Sequence, residues 1–121
     1  MNFEDTIEFL EQHLGKTVEV VIEMPIPSRD EPVHLAGFWG QLDRLTKSDA
    51  SDAPEAWYVW MRELDEASPF MDEFRLDREL FEDAEVHANV IEEHDERSEN
   101  GATWTLTIHQ RRFRTTVEFY V

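Results

Sequence analysis

Apolar residues open the chain with a helical period. Phe3, Ile7, Leu10 and Leu14 fall at i, i+4, i+7 and i+11, one face of a 3.6-residue repeat. That spacing predicts an amphipathic helix over 3–14. Asn2 is placed to cap its start, Glu4 and Asp5 suit the positive end of the dipole, and Gly15 sits where a glycine ends a helix. The period then changes to two. In "KTVEVVIEM", Val18, Val20 and Ile22 face one way and Thr17, Glu19 and Glu23 the other, which predicts a half-buried strand. Prolines at 25, 27 and 32 make "PIPSRDEP" a loop. Residues 33–45 read as a second strand, with Gly37 and Gly40 marking a bulge or bend. After the polar loop 46–55, "AWYVWMREL" (56–64) is a third strand, apolar on both faces and therefore expected in the interior of a sheet.

Residues 68–86 carry mixed signals. Ser68, Pro69, Asp72 and Glu73 resemble a helix start, whereas "FRLD" alternates. The reading adopted is a helical turn at 69–73, a strand near 74–77, a turn at 78–82 and a strand from 84. Strands 85–94 and 103–109 are expected to pair through an Asn100–Gly101 turn. Trp104, Leu106 and Ile108 then form one apolar side. Beyond them the apolar phase moves to Phe113, Thr115, Val117, Phe119 and Val121. A one-residue slip turns every side chain over, so 109–112 must hold a turn or bulge.

These elements predict one domain over 1–121 of α+β class. An N-terminal helix packs on a strongly bent, mostly antiparallel sheet or small barrel with a C-terminal hairpin extension. The alternative is an open antiparallel sheet with the helix laid across one face. The run of helix, strand, glycine-bent strand, aromatic strand and "FRLDRELFEDAEV" resembles the Sm-like and SH3-like small β-barrels over roughly residues 3–90. Phe74, Leu76, Leu80–Phe81 and Ala84–Val86 carry the likeness. It implies a barrel, with the chain after residue 90 as an extension.

Charge narrows the function. The formal net charge is −17, from 28 acids against 11 Lys and Arg. Such a field repels phosphate backbones, and no loop rich in Asn, Gly and Arg offers a base pocket, so an Sm-like RNA-binding role is disfavoured. No cysteine is present, which removes disulfides, thiolate metal sites and thiol nucleophiles. The N-terminus has neither a basic segment nor a long apolar run, and no stretch approaches membrane-spanning length, so a cytoplasmic protein is expected. His87, Glu92, Glu93, His94 and Asp95 are read as a solvated hairpin end, because positions 87 and 94 point to opposite faces of a strand. The serines lie in loops or caps without a nucleophile motif. No catalytic residue, metal or cofactor is assigned.

Two surfaces remain as candidates. Residues 65–100 hold fourteen acids against three arginines. Trp60, Asp72, Glu73, Asp77, Glu79, Glu82 and Asp83 are the candidate partner surface, suited to a basic protein. Arg111, Arg112 and Arg114 form a basic cluster near the chain's end, expected to neutralise the acidic 77–85 segment from within, with a partner contact as the alternative; an anion-facing role is less favoured, because the β-like neighbourhood lacks glycine and a helix N-terminus. The expected function is a non-enzymatic acidic protein that binds another macromolecule, in the manner of an immunity, inhibitor or adaptor protein, as a monomer or homodimer. A small-molecule pocket between the helix and the Trp-bearing strands, with or without enzymatic activity, is the alternative.

Overall fold

In a computed structural model of the chain, which describes residues 1–48, 55–64, 67, 71–89 and 102–120, one helix accompanies seven antiparallel strands. Helix α1 spans Phe3–Gln12. The strands are β1 (Thr17–Met24), β2 (Val33–Lys47), β3 (Ala56–Arg62), β4 (Met71–Asp77), β5 (Phe81–Ala88), β6 (Ala102–Gln110) and β7 (Phe113–Tyr120). The fold is α+β, in one sheet of order β4-β3-β2-β1-β7-β6-β5.

The helix forms where its stripe and its cap predict. The Asn2 side chain accepts from Asp5 N at 2.7 Å, and the Asp5 carboxylate accepts from Asn2 N at 3.4 Å, a reciprocal capping box. Phe3, Ile7 and Leu10 are buried, but the helix stops two residues short of the predicted end and Leu14 is 42% exposed. His13 leaves helical geometry at φ −113°, and Gly15 turns the chain at φ +91°, the left-handed region that glycine enters without a Cβ penalty. Gly15 N then donates to Leu42 O and Leu42 N to Lys16 O, seating the turn on β2.

The core lies between the helix and one face of the sheet. Val18 and Val20 of β1, Leu42 of β2, Val59 and Met61 of β3, Phe74 and Leu76 of β4, Leu106 and Ile108 of β6, and Val117 and Phe119 of β7 are all buried there. Strand β2 is bulged twice, with Leu35 and Asp43 left out of register. The bulges flank Gly37 and Gly40 and do not fall on them. Gly40 serves close approach instead, since a Cβ there would lie 2.6 Å from Arg62 O.

Several expectations are corrected. Residues 71–73 are strand and not a helical turn, because Arg62, Met61 and Trp60 of β3 pair with Met71, Asp72 and Glu73. Positions 68–70 lie outside the described residues. The following turn is only Arg78–Leu80, and β5 starts at Phe81. Trp104 is 43% exposed and does not join Leu106 and Ile108 in the core, for it sits at a register shift beside the end of the helix. The phase slip is a turn at 111–112, and β5 does pair with β6, while the Asn100–Gly101 connection lies outside the described residues. The C-terminal hairpin is integral to the sheet: β7 pairs with β1 on one side and β6 on the other.

The order of the strands imposes curvature. β4 and β5 occupy opposite edges, yet only residues 78–80 connect them. Seven flat strands would span about 29 Å, whereas four Cα–Cα steps reach at most about 15 Å. The sheet must therefore curl. Gln110, buried in β6, holds the approach. Its carboxamide accepts from Asp77 N at 2.7 Å and donates to Arg75 O at 3.0 Å, replacing one rung of a ladder along the open side of β4.

Candidate functional site

The helix and the β4–β5 turn enclose a groove of about 440 Å³. Phe3, Ile7 and Trp57 form its apolar floor, and Glu4, Glu8, Glu11 and Glu55 surround it. Glu4, Glu8 and Glu11 recur at i, i+4 and i+7, so they share a helix face beside the buried stripe. Trp57 comes from the core-facing side of β3 and stays half-buried at the groove's edge.

Arg78 ties the groove together. From the β4–β5 turn its guanidinium bonds Glu4 and Glu55, each at 2.5 Å, and lies 4.6 Å above the Phe3 ring. Glu55 also pairs with Lys47 at 3.1 Å and accepts from Trp57 Nε1 at 3.2 Å. Arg78, then Lys47, then Trp57 hold the Glu55 carboxyl at about 2, far below the usual carboxylate range. Arg78 lowers Glu4 as well, without the help of burial. Both carboxylates are more acidic folded than unfolded. The stability they add is therefore complete above the ordinary value near 4.5 and drains away as the pH falls towards about 2. Thermal melts of the parent should consequently decline more steeply between these limits than melts of Arg78→Gln. Parallel declines would show that the cluster adds nothing.

Glu8 and Glu11 are left uncompensated. Among the described residues neither makes an ion pair, and Glu8 accepts only a 3.3 Å bond from Gln12. Four carboxylates thus stand over an apolar floor, Glu4 and Glu55 held by Arg78 and Lys47 and the other two without a cation among the described residues. An occupant that is cationic and partly apolar matches this arrangement.

The acidic surface expected from the sequence is divided. Trp60 and Glu73 are cross-strand partners, but guanidiniums are interleaved with them. Arg44 lies 5.4 Å over the Trp60 ring, and Trp60 Nε1 donates to Thr46. Arg75 lies 5.8 Å over Tyr58 and pairs with Asp77 at 2.8 Å. Asp72 is half-buried opposite Met61, and Glu79 lies exposed in the turn. Glu82 and Asp83 belong to β5, the other edge of the sheet.

The arginine cluster is divided too. Arg114 pairs with Glu23 at 3.4 Å because β7 runs beside β1, which makes them cross-strand neighbours. It does not meet the 77–85 segment. Arg111 and Arg112 are exposed and, among the described residues, make no ion pair. On the outer face Trp39 and Tyr120 pack with centroids 5.0 Å apart, and the Tyr120 hydroxyl donates to Glu118 at 3.0 Å. Burial and then the Glu118 carboxylate raise the Tyr120 phenol well above its usual range.

His87 lies 3.3 Å from Glu85, and positions 92–95 fall outside the described residues. Among the described residues no cluster of three or more His, Asp or Glu could hold a metal ion, and no helix is long and apolar enough to cross a membrane. The sequence offers a pocket between the helix and the Trp-bearing strands only as the alternative site, without Arg78 or Glu55. The signal within reach was the Glu4/Glu8/Glu11 row beside the apolar stripe. Compared with models of known families, with characterised proteins and with solved structures, the chain matches none.

Proposed function

We propose that the protein is a non-enzymatic binding protein whose acidic groove takes a basic, partly apolar segment of another protein. The observation that carries this reading is the groove itself, in which Glu8 and Glu11 remain without an ion pair among the described residues, beside Phe3, Ile7 and Trp57. A lysine or arginine of the partner would meet Glu8 and Glu11, and an adjoining apolar side chain would cover Trp57. The net charge of −17 adds long-range attraction for a basic partner. The short β4–β5 link and the Gln110 rung support a finer reading of the fold, in which the curled sheet closes as a small barrel of the Sm-like or SH3-like kind and α1 packs over its core.

Calorimetry with an amphipathic Lys/Leu peptide tests the function, with a Glu/Leu peptide of the same pattern as control. The Lys/Leu peptide should bind and the control should not. Binding should weaken as salt rises, because screening shortens the reach of the carboxylates. Glu8→Gln together with Glu11→Gln should weaken it about tenfold, two charge contacts of roughly 0.7 kcal/mol each. Equal binding of both peptides, or an unchanged affinity in the double variant, would remove the proposal. Binding of small aryl amidines in the groove without any peptide binding would favour a small-molecule site instead.

A further inference from the structure

A second cleft, of about 380 Å³, opens at the far end of the β6–β7 hairpin. Arg111 and Arg112 form the turn and line the cleft, while Phe113, Pro25 and Pro27 supply apolar walls. Phe113 is 41% exposed although it opens the apolar series of β7. Its ring is therefore available to an occupant.

The turn is costly for its own fold. Arg111 stands at φ +39°, among the described residues the one position other than glycine in the left-handed region. A two-residue hairpin turn ordinarily places Gly, Asn or Asp where φ is positive. Here Arg111 takes that place, and the adjacent Arg112 sets a second guanidinium beside it. Internal neutralisation does not explain them. The chain has acids in large excess, yet among the described residues Arg114 pairs with Glu23 while Arg111 and Arg112 pair with none. Arg111 N donates to Leu80 O at 2.9 Å, which seats the turn, but among the described residues both guanidiniums stay without an ion pair beside an apolar wall, a feature that an external anion accounts for.

We infer that this cleft binds a small organic anion, its carboxylate or phosphate held by Arg111 and Arg112 and its apolar body resting on Phe113 and the two prolines. Guanidiniums suit either oxyanion, since their planar fork donates two parallel bonds. The size of the cleft is that of a small-ligand site. Polyanions are disfavoured on two counts. Glu82 also lines the cleft, leaving two cations against one carboxylate, and His109 beside it faces Asp83 at 4.0 Å. The wider field of the chain repels extended phosphate chains, whereas a single anion feels chiefly the nearest charges within a Debye length of about 8 Å.

Thermal melting at matched ionic strength tests the site with phenyl phosphate and phenylacetate as separate probes, and with benzylamine as the cationic control. At least one anion should raise the melting temperature saturably in the millimolar range, and benzylamine should not. Which anion acts distinguishes a phosphate from a carboxylate ligand. The Arg111→Gln and Arg112→Gln double variant should lose about tenfold or more in apparent affinity, and Arg114→Gln should keep the response. Arg111→Gly, which relieves the left-handed strain, should melt no lower than the parent without ligand yet bind more weakly. A flat response to both anions, or a response unchanged in the double variant, overturns the inference. A marked loss of stability in Arg111→Gly would also overturn it by making Arg111 a structural residue.

Discussion

Leu10→Ala is expected to destabilise the protein by about 3–4 kcal/mol. Leu10 is fully buried within the cluster shared by the helix and the sheet, and removing its isobutyl group costs the transfer energy and leaves a cavity. Ile7→Ala, buried on the same stripe, should cost about 2–4 kcal/mol. Leu14→Ala is the contrast. Leu14 has the right spacing but lies beyond the last helical turn, so its replacement should stay within about 0.5 kcal/mol. Urea denaturation of the three variants measures the difference. A Leu10→Ala midpoint equal to the parent's would mean that the helix is not docked on the sheet in solution.

Gln110→Ala should cost about 2–3 kcal/mol, a large effect for a polar side chain. Its carboxamide is almost wholly buried and satisfies the Asp77 N–H and the Arg75 carbonyl at once. Truncation leaves both part-buried groups without their partners where β4 meets the end of β6, and it opens a gap at a buried side chain. Gln110→Met separates bonding from packing, because it keeps the length of the side chain but neither donates nor accepts well. A Met variant as unstable as the Ala variant would show that the carboxamide bonds hold β4 to the end of β6. A Met variant within about 0.5 kcal/mol of the parent would assign the position to packing alone.

Local signals made much of this architecture legible. The helix stripe, its Asn2 cap and the alternating strands depend on neighbours a few residues away. The break at 109–112 was legible as well, because a slip in apolar phase cannot continue along a flat strand. Local signals also misled. Ser68, Pro69, Asp72 and Glu73 have the composition of a helix start, but β3 offers Trp60 and Met61 as cross-strand partners, and that pairing makes 71–73 a strand. Trp104 keeps the inward phase of its strand but lies past the end of the core, which no periodicity reveals.

The sequence by itself determined the class of fold, the face that the helix buries and the excess of acid. Only the tertiary structure decided where the charges meet. Glu55 and Arg78 are 23 residues apart and share a groove with the helix because the β4–β5 turn is brought back to the start of β3. Arg114 meets Glu23, 91 residues away, because β7 chooses β1 as its second neighbour. That choice gives Arg114 an internal partner and leaves Arg111 and Arg112 facing solvent at the turn. The physical reason is the range of the interactions. Periodicity and capping act within a few residues, whereas the pairing of distant strands is settled by burying a common core, so the sites that depend on that pairing have no local signature.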